Sequence, residues 1–246
     1  MNYVGIDLGT TFSAVAYIDD SGRPTIVNND RDQNITPSCV AQIKGELIVG
    51  ERARRQWGND EENAAARFKR DMGTSTIFHI GEDPFTPTEL SAEVLKKIKA
   101  DIEKKIGPIA EAVVTIPANF SNEARDATLE ACRLADLEVK FVINEPTAAA
   151  LYYAYETDGD LSGTYAVFDL GGGTFDVSVI TVKNQDVEVL ASNGVQKLGG
   201  DDFDKCLFKI ISEKYKDETG EDLDTEDLSI NEVEEEKISL SKRKRT

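Results

Sequence analysis

Two short stretches of this chain carry residues that could hold a charged phosphate ligand. Residues 168–179 read FDLGGGTFDVSV, and residues 6–16 read IDLGTTFSAVA. Each ends an apolar run on an aspartate (Asp7 or Asp169), turns on glycine, and offers threonine before a second apolar run. Asp7, Leu8 and Gly9 match Asp169, Leu170 and Gly171 at a constant offset of 162, whereas Thr11 and Phe12 match Thr174 and Phe175 at 163. The later copy therefore has one extra glycine. Glycine lacks a Cβ, so backbone N–H groups in such a turn can come close to an anion and form a concave nest around it. The threonine hydroxyls add donors. An unpaired carboxylate at the end of a buried strand is costly, so Asp7 and Asp169 are expected to face a cation or its hydration shell. Two such loops facing each other would grip a polyphosphate with Mg2+ between the acids. The plainer reading is a pair of glycine turns with no ligand, but the repeated order of Asp, Gly and Thr favours phosphate.

Other nucleotide motifs are absent. There is no GxxxxGK[ST] loop, and no GxGxxG opens a helix after a strand. In both copies a strand follows the glycines, so this is a hairpin cradle to which a helix dipole adds little. A repeat at the head of two segments points to two related lobes, each giving one loop to a shared ligand.

Composition narrows the partners. The 246 residues can build one large domain or two lobes. The net charge of −18 argues against a nucleic-acid partner, which needs a basic footprint. No run approaches the ~18 apolar residues of a membrane span. The opening MNYVGIDLGTTFS passes straight into a strand, so no secretory leader is expected. Cys39, Cys132 and Cys206 fit neither a disulfide framework nor a metal spacing, and the expectation is partly buried thiols in a cytoplasmic protein. The single histidine, His79, leaves little material for a His-based metal site or a Ser-His-Asp triad. The basic run KRKRT at 242–246 is expected to be a solvated end.

Several elements must position the hairpins. Strands are expected at 2–6, 11–18, 24–28 and, around Gly45, within 38–48. Residues 50–72 look helical and charged, and 73–85 look like a loop. Thr86, Pro87 and Glu89 form a capping-box start to a helix whose apolar residues Leu90, Val94, Ile98, Ile102 and Ile106 recur every four positions until Gly107-Pro108. AVVTIPANF (112–120) reads as a buried strand and a turn, followed by a helix capped by Ser121. VKFVINEP (139–146) reads as a strand, followed by the helix TAAALYYAYE. The polar break at 158–164 divides the lobes. A helix over 202–215, an acidic loop, and a helical stretch at 230–241 follow. Alternating strands and helices indicate an α/β architecture.

IDLGTTFS, VVTIPANF, INEPTAAALYY, FDLGGGTFDVSV and LGGDDFD occur in an order that resembles the ATPase domain of the seventy-kilodalton heat-shock chaperones of the DnaK type. ITPSCV, FKRDMG and FTPTELSAEVL agree as well, so the resemblance covers nearly the whole chain. It implies an actin-like ATPase fold with ribonuclease H-like duplicated lobes. Lobe I would span 1–159, with a core at 1–38 and 112–159 and an inserted subdomain at 39–111. An incomplete lobe II would span 160–246, with a core at 160–199 and the start of an outer subdomain at 200–246.

The resemblance also implies roles. Gly9, Thr10 and Thr11 would form the first phosphate loop, and Gly171, Gly172, Gly173 and Thr174 the second. Asp7 and Asp169 would hold hydrated Mg2+, with Asp176 and Thr174 near the attacking water and a K+ site. Lys69 would position the γ-phosphate; on its own, without the family match, it reads as a surface lysine in a charged helix. Glu145 would link the lobes, its backbone biased towards extended by Pro146. Gly200 and Asp201 would approach the ribose and phosphates, and Glu234, Lys237 and Ser241 the adenosine. The implied reaction is hydrolysis of ATP to ADP by in-line attack of water. In the parent protein the implied partners are a peptide-binding domain, a J-domain co-chaperone and a nucleotide-exchange factor.

Three departures stand against this pattern. Ile238 sits where the family carries an arginine that stacks on the base, a contact worth ~0.5–2 kcal/mol. Asp71-Met72 replaces an apolar pair. The second adenosine segment and the peptide-binding domain are expected to be missing. The alternatives are a non-catalytic fragment that self-associates, and a sugar kinase or actin-like filament protein of the same superfamily.

Overall fold

The computed structural model describes residues 2–157, 161–183, 186–195, 197–224 and 228–242. Most of the basic run at 242–246, the expected lobe boundary at 159–160 and part of the acidic loop therefore lie outside the described residues.

The first hairpin is built into the centre of a mixed sheet. Strand β1 (Asn2–Asp7) buries Val4 and Ile6 and pairs antiparallel with β2 (Phe12–Ile18), with Asp7 opposite Ala14. On its other side β1 runs parallel to β10 (Ile109–Ile116), which runs parallel to β11 (Val139–Asn144). The order is β11-β10-β1-β2-β3, with β3 at Pro24–Ile26 and the short β4 (Thr36–Pro37) also on β2. Parallel neighbours need crossover segments. Helices α2 (Pro87–Ile106) and α3 (Asn122–Leu134) supply them and bury Leu90, Val94, Leu95, Ile98 and Ile102 against Val4, Ile6, Leu8 and Val114. The capping box at Thr86 and Glu89 is formed, and Ser121 Oγ accepts from the Ala124 N–H.

The region 50–72 departs from the sequence expectation. Only α1 (Glu51–Asn59) is a helix there. The Asp60 carboxylate then accepts from the Glu62 N–H and opens a 3-10 turn, Glu61–Asn63. Ala64–Ala66 forms β7 and pairs with β5 (Cys39–Ile43), which also pairs with β6 (Glu46–Val49). Alanine favours helix, but here sheet pairing and burial outweigh propensity. Arg67 takes a left-handed φ of 62° and leads into a second 3-10 turn, Phe68–Asp71. The segment expected to be a loop holds a small hairpin, β8 (Phe78–Ile80) and β9 (Asp83–Phe85), turned at Gly81 with φ 63°. His79 lies exposed on it.

Pro146 does not hold Glu145 extended. Asn144 is the extended residue, and Glu145 is the first residue of α4 (Glu145–Glu156), with proline in its first turn. Beyond α4 lies a three-stranded antiparallel meander, β12 (Gly163–Leu170), β13 (Phe175–Lys183) and β14 (Asp186–Val195). One of its faces packs Ile180 and Val182 on Ala150 of α4. The other leaves Phe168, Leu170, Leu190 and Val195 exposed, Phe168 by 70%. Helix α5 (Gly200–Thr219) starts earlier and ends later than the sequence pattern suggests, and α6 (Ile230–Leu240) opens with a capping box at Ser229 and Glu232. The architecture is mixed α/β with several sheets.

Candidate functional site

The two glycine hairpins meet. A Cβ on Gly172 would lie 2.2 Å from Thr11 Oγ1, so the second loop approaches the first as only glycine allows. The turn of the second hairpin closes through the Gly171 N–H, which donates to the Thr174 carbonyl at 2.9 Å. The extra glycine has a structural consequence. In the first hairpin Asp7 faces Ala14, whose counterpart in the second copy is Val177. The aspartate faces the residue seven positions on in both hairpins, and because the extra glycine moves the returning strand along by one, that residue in the second copy is Asp176. A one-residue change of register exchanges the faces of a strand, and here it sets two carboxylates side by side.

Between the hairpins lies a cleft of about 610 Å³. Asp7, Gly9, Thr10 and Thr11 line one wall, Asp169, Gly171, Gly172 and Thr174 the other, and Lys69 and Glu145 the floor. Lys69 is not a surface lysine: its side chain is 5% exposed and its Nζ donates to Glu145 Oε1 at 2.7 Å. The tight turn after Arg67 sends it inward, and its ammonium lies 5.7 Å from the Phe120 ring. Thr115 Oγ1 donates to Asp7 Oδ1 at 2.8 Å, and Asn119 Nδ2 donates to Asp176 Oδ1 at 2.9 Å.

The charges do not balance. Asp7, Glu145, Asp169 and Asp176 share one ammonium. Burial, aided by the charges of Asp7 and Asp169, pushes the Glu145 carboxyl above its ordinary range despite Lys69. Partial desolvation and the Asp7 charge raise Asp169 in the same way, and desolvation with the Asp169 charge raises Asp176. These shifts describe a site in which a cation is the natural complement. The hydroxyl of Thr11 is buried with no partner, although buried polar groups are ordinarily paired.

The remaining predicted residues, Asp176 among them, are not part of the cleft lining. Gly173 lies under Arg70, whose guanidinium donates to the Gly173 carbonyl at 2.6 Å. The N–H groups of Gly200 and Asp201 donate to the carbonyls of Gly171 and Gly172 at 3.1 and 2.7 Å and fix α5 behind the second loop. The Asp201 carboxylate is taken by Arg67 at 2.5 Å and Arg70 at 3.5 Å. Glu234 pairs with Arg54. Lys237 Nζ pairs with Asp204 at 2.7 Å and donates to the Gly200 carbonyl at 3.0 Å. Ser241 ends α6 with its hydroxyl on the Lys237 carbonyl, and Ile238 is about half exposed. None of Glu234, Lys237 and Ser241 lines the main cleft.

Sequence reasoning passed over Arg67, Arg70, Thr115 and Asn119. Arg70 had a signal, being beside Lys69 in FKRD, and Thr115 is a polar residue in an otherwise apolar strand. Arg67 had none, because its left-handed backbone, which costs about 1 kcal/mol, is held by long-range partners: the Trp57 ring 4.5 Å away and Asp201. Among the described residues no group of three or more His, Cys, Asp or Glu is arranged to ligate a bare metal ion, and no helix is long and apolar enough to cross a membrane. Cys39 and Cys132 are buried, and Cys206 is exposed.

The sequence model of the Hsp70 protein family matches this chain over residues 3–81 and 74–246, a span that holds both hairpins, Lys69 and Glu145. The chain belongs to the Hsp70 family.

Proposed function

We propose that the cleft between the two hairpins binds ATP and ADP and that the chain hydrolyses ATP there, as the nucleotide module of a chaperone. Membership of the Hsp70 family makes it part of a chaperone ATPase region. The observation that carries the finer reading is the meeting of Gly172 with Thr11 over the Lys69–Glu145 pair, with Asp7 and Asp169 on opposite walls. The loop amides, Thr10, Thr11 and Thr174 cradle the phosphates. Lys69 brings positive charge to the γ-phosphate and the water that attacks it in line, and Glu145 holds the ammonium in place. Glu145, Asp169 and Asp176 orient that water, and no residue forms a covalent bond to the substrate. Catalysis of this kind comes from positioning and charge stabilisation.

The surplus of carboxylates fits a hydrated Mg2+ on Asp7 and Asp169 and a K+ beside Asp176 and Thr174. When bound, Mg2+ supplies neutralisation of the phosphate oxygens. Gly200 and Asp201 brace the second loop, and Glu234, Lys237 and Ser241 belong to an adenosine-side wall. In this reading residues 1–159 form lobe I and residues 160–246 belong to lobe II. The open apolar face around Phe168 favours a second reading, a non-catalytic, self-associating chain, for which a dimeric solution mass without nucleotide turnover is the signature.

Phosphate release from ATP with Mg2+ and K+ present tests the first reading. Lys69→Ala is expected to lower the rate about 100-fold, with the far-UV spectrum unchanged. A Lys69→Ala rate equal to wild type would remove Lys69 from the mechanism.

A further inference from the structure

The turn after β10, residues 117–121, joins the two walls of the cleft, and the reading above assigns Asn119 no part. The Phe120 N–H donates to the Pro117 carbonyl at 3.2 Å, which closes the turn and presents two neighbouring side chains to the site. The Phe120 ring lies beneath Lys69. Asn119 reaches across to the other sheet, where its amide donates to Asp176 Oδ1 at 2.9 Å.

Asp176 needs a restraint. It stands opposite Asp169 in the β12–β13 ladder, where two carboxylates repel and would swing apart. Gly194 of β14 leaves room for the Asp176 carboxylate, since a Cβ there would lie 2.1 Å from its Oδ1. A lysine or arginine at position 119 would hold the carboxylate but would also cancel its charge. A neutral amide fixes Oδ1 and leaves the charge in place, with Oδ2 given no donor by the described residues. The bond joins the turn that supports Lys69 to the strand that carries Asp176, so the two walls share one register.

We propose that Asn119 is a positioning residue for ATP hydrolysis: its amide orients the Asp176 carboxylate without neutralising it and sets that carboxylate against Lys69 across the cleft. This rests on the nucleotide reading of the cleft. Asn119 is exposed in a turn, so its replacement is compatible with folding.

The test compares the whole 246-residue chain with Asn119→Ala, Asn119→Gln and Asn119→Asp. The readouts are single-turnover ATP hydrolysis, calorimetric ATP affinity and thermal midpoint. Asn119→Ala is expected to slow turnover about tenfold, the usual effect of losing a group that orients a functional carboxylate. Its ATP affinity should stay within about twofold, since the lost interaction acts on the chemical step. Asn119→Gln, which keeps the amide, should recover part of the rate, and Asn119→Asp should be the slowest because it adds a third carboxylate. A rate for Asn119→Ala within about twofold of wild type would overturn the proposal alone. So would a fall in rate, affinity and thermal midpoint together, which marks a structural role. A folded wild-type chain without turnover would overturn the nucleotide reading, and this proposal with it.

Discussion

The two glycine hairpins begin from nearly the same sequence and end in different surroundings. Leu8 follows Asp7 and is 1% exposed; its counterpart Leu170 follows Asp169 and is 54% exposed. The first hairpin sits mid-sheet between β10 and β3, with α2 and α3 closing its core. The second belongs to a meander whose edge is β12, with one apolar face covered by α4 and the other open. The first loop is therefore held from below, by the core of its own sheet. The second is held from its tip, by Thr11, Arg70 and the start of α5. A repeated motif can thus supply the same donors twice while the energy that fixes them comes from different places.

The two hairpins should differ most in what each contributes to stability. Leu8→Ala should destabilise the chain by about 3 kcal/mol, the cost of a cavity in a closed core. Leu170→Ala should change stability by less than about 0.5 kcal/mol. Urea unfolding of both variants checks this, and equal costs would mean that the second hairpin is as well buried in solution as the first.

The glycines sharpen the same contrast. A Cβ on Gly9 would lie 1.9 Å from the Phe12 carbonyl oxygen of its own hairpin, whereas one on Gly172 meets the other hairpin at Thr11. Gly9→Ala should lower stability by about 2 kcal/mol through local overpacking. Gly172→Ala should shift the thermal midpoint far less but weaken nucleotide binding about tenfold or more, because it pushes the two walls apart. Melting curves and calorimetry separate the two effects.

The smallest effect concerns the thiols. Burial pushes Cys39 and Cys132 up to about 12, while Cys206 is exposed on α5. A raised thiol pKa favours the folded state up to the unfolded value of about 8.5, and that contribution is lost as pH rises from there towards the folded value. Near neutral pH, Ellman's reagent should label one thiol at once and three after denaturation. Rapid labelling of all three in the native state would mean that the N-terminal core opens.

Much of the site was legible because its signals are local. A glycine turn, an aspartate at a strand end and a Thr-Pro-x-Glu helix start each declare themselves within a few residues. The doubled hairpin, α2 with its capping box, and α3 with its Ser121 cap needed nothing more. What could not be read depends on distant partners. The alanines at 64–66 become a strand only because β5 is there to pair with. Asn144 rather than Glu145 takes the extended position because the strand-to-helix junction overrides the bias imposed by Pro146. Arg67 and Arg70 become part of the site only when Asp201 and Gly173 arrive from far along the chain, and the effect of the extra glycine appears only when the ladder shows Asp176 opposite Asp169.

In the proposed function, two unequally supported hairpins form one nucleotide site. The most direct test is calorimetric titration of the 246-residue chain with ATP, with and without Mg2+ and with K+ present. Saturable binding is expected at one site per chain, dependent on Mg2+ and about tenfold or more weaker in Gly172→Ala. A folded chain that releases no heat with either ATP or ADP would contradict it.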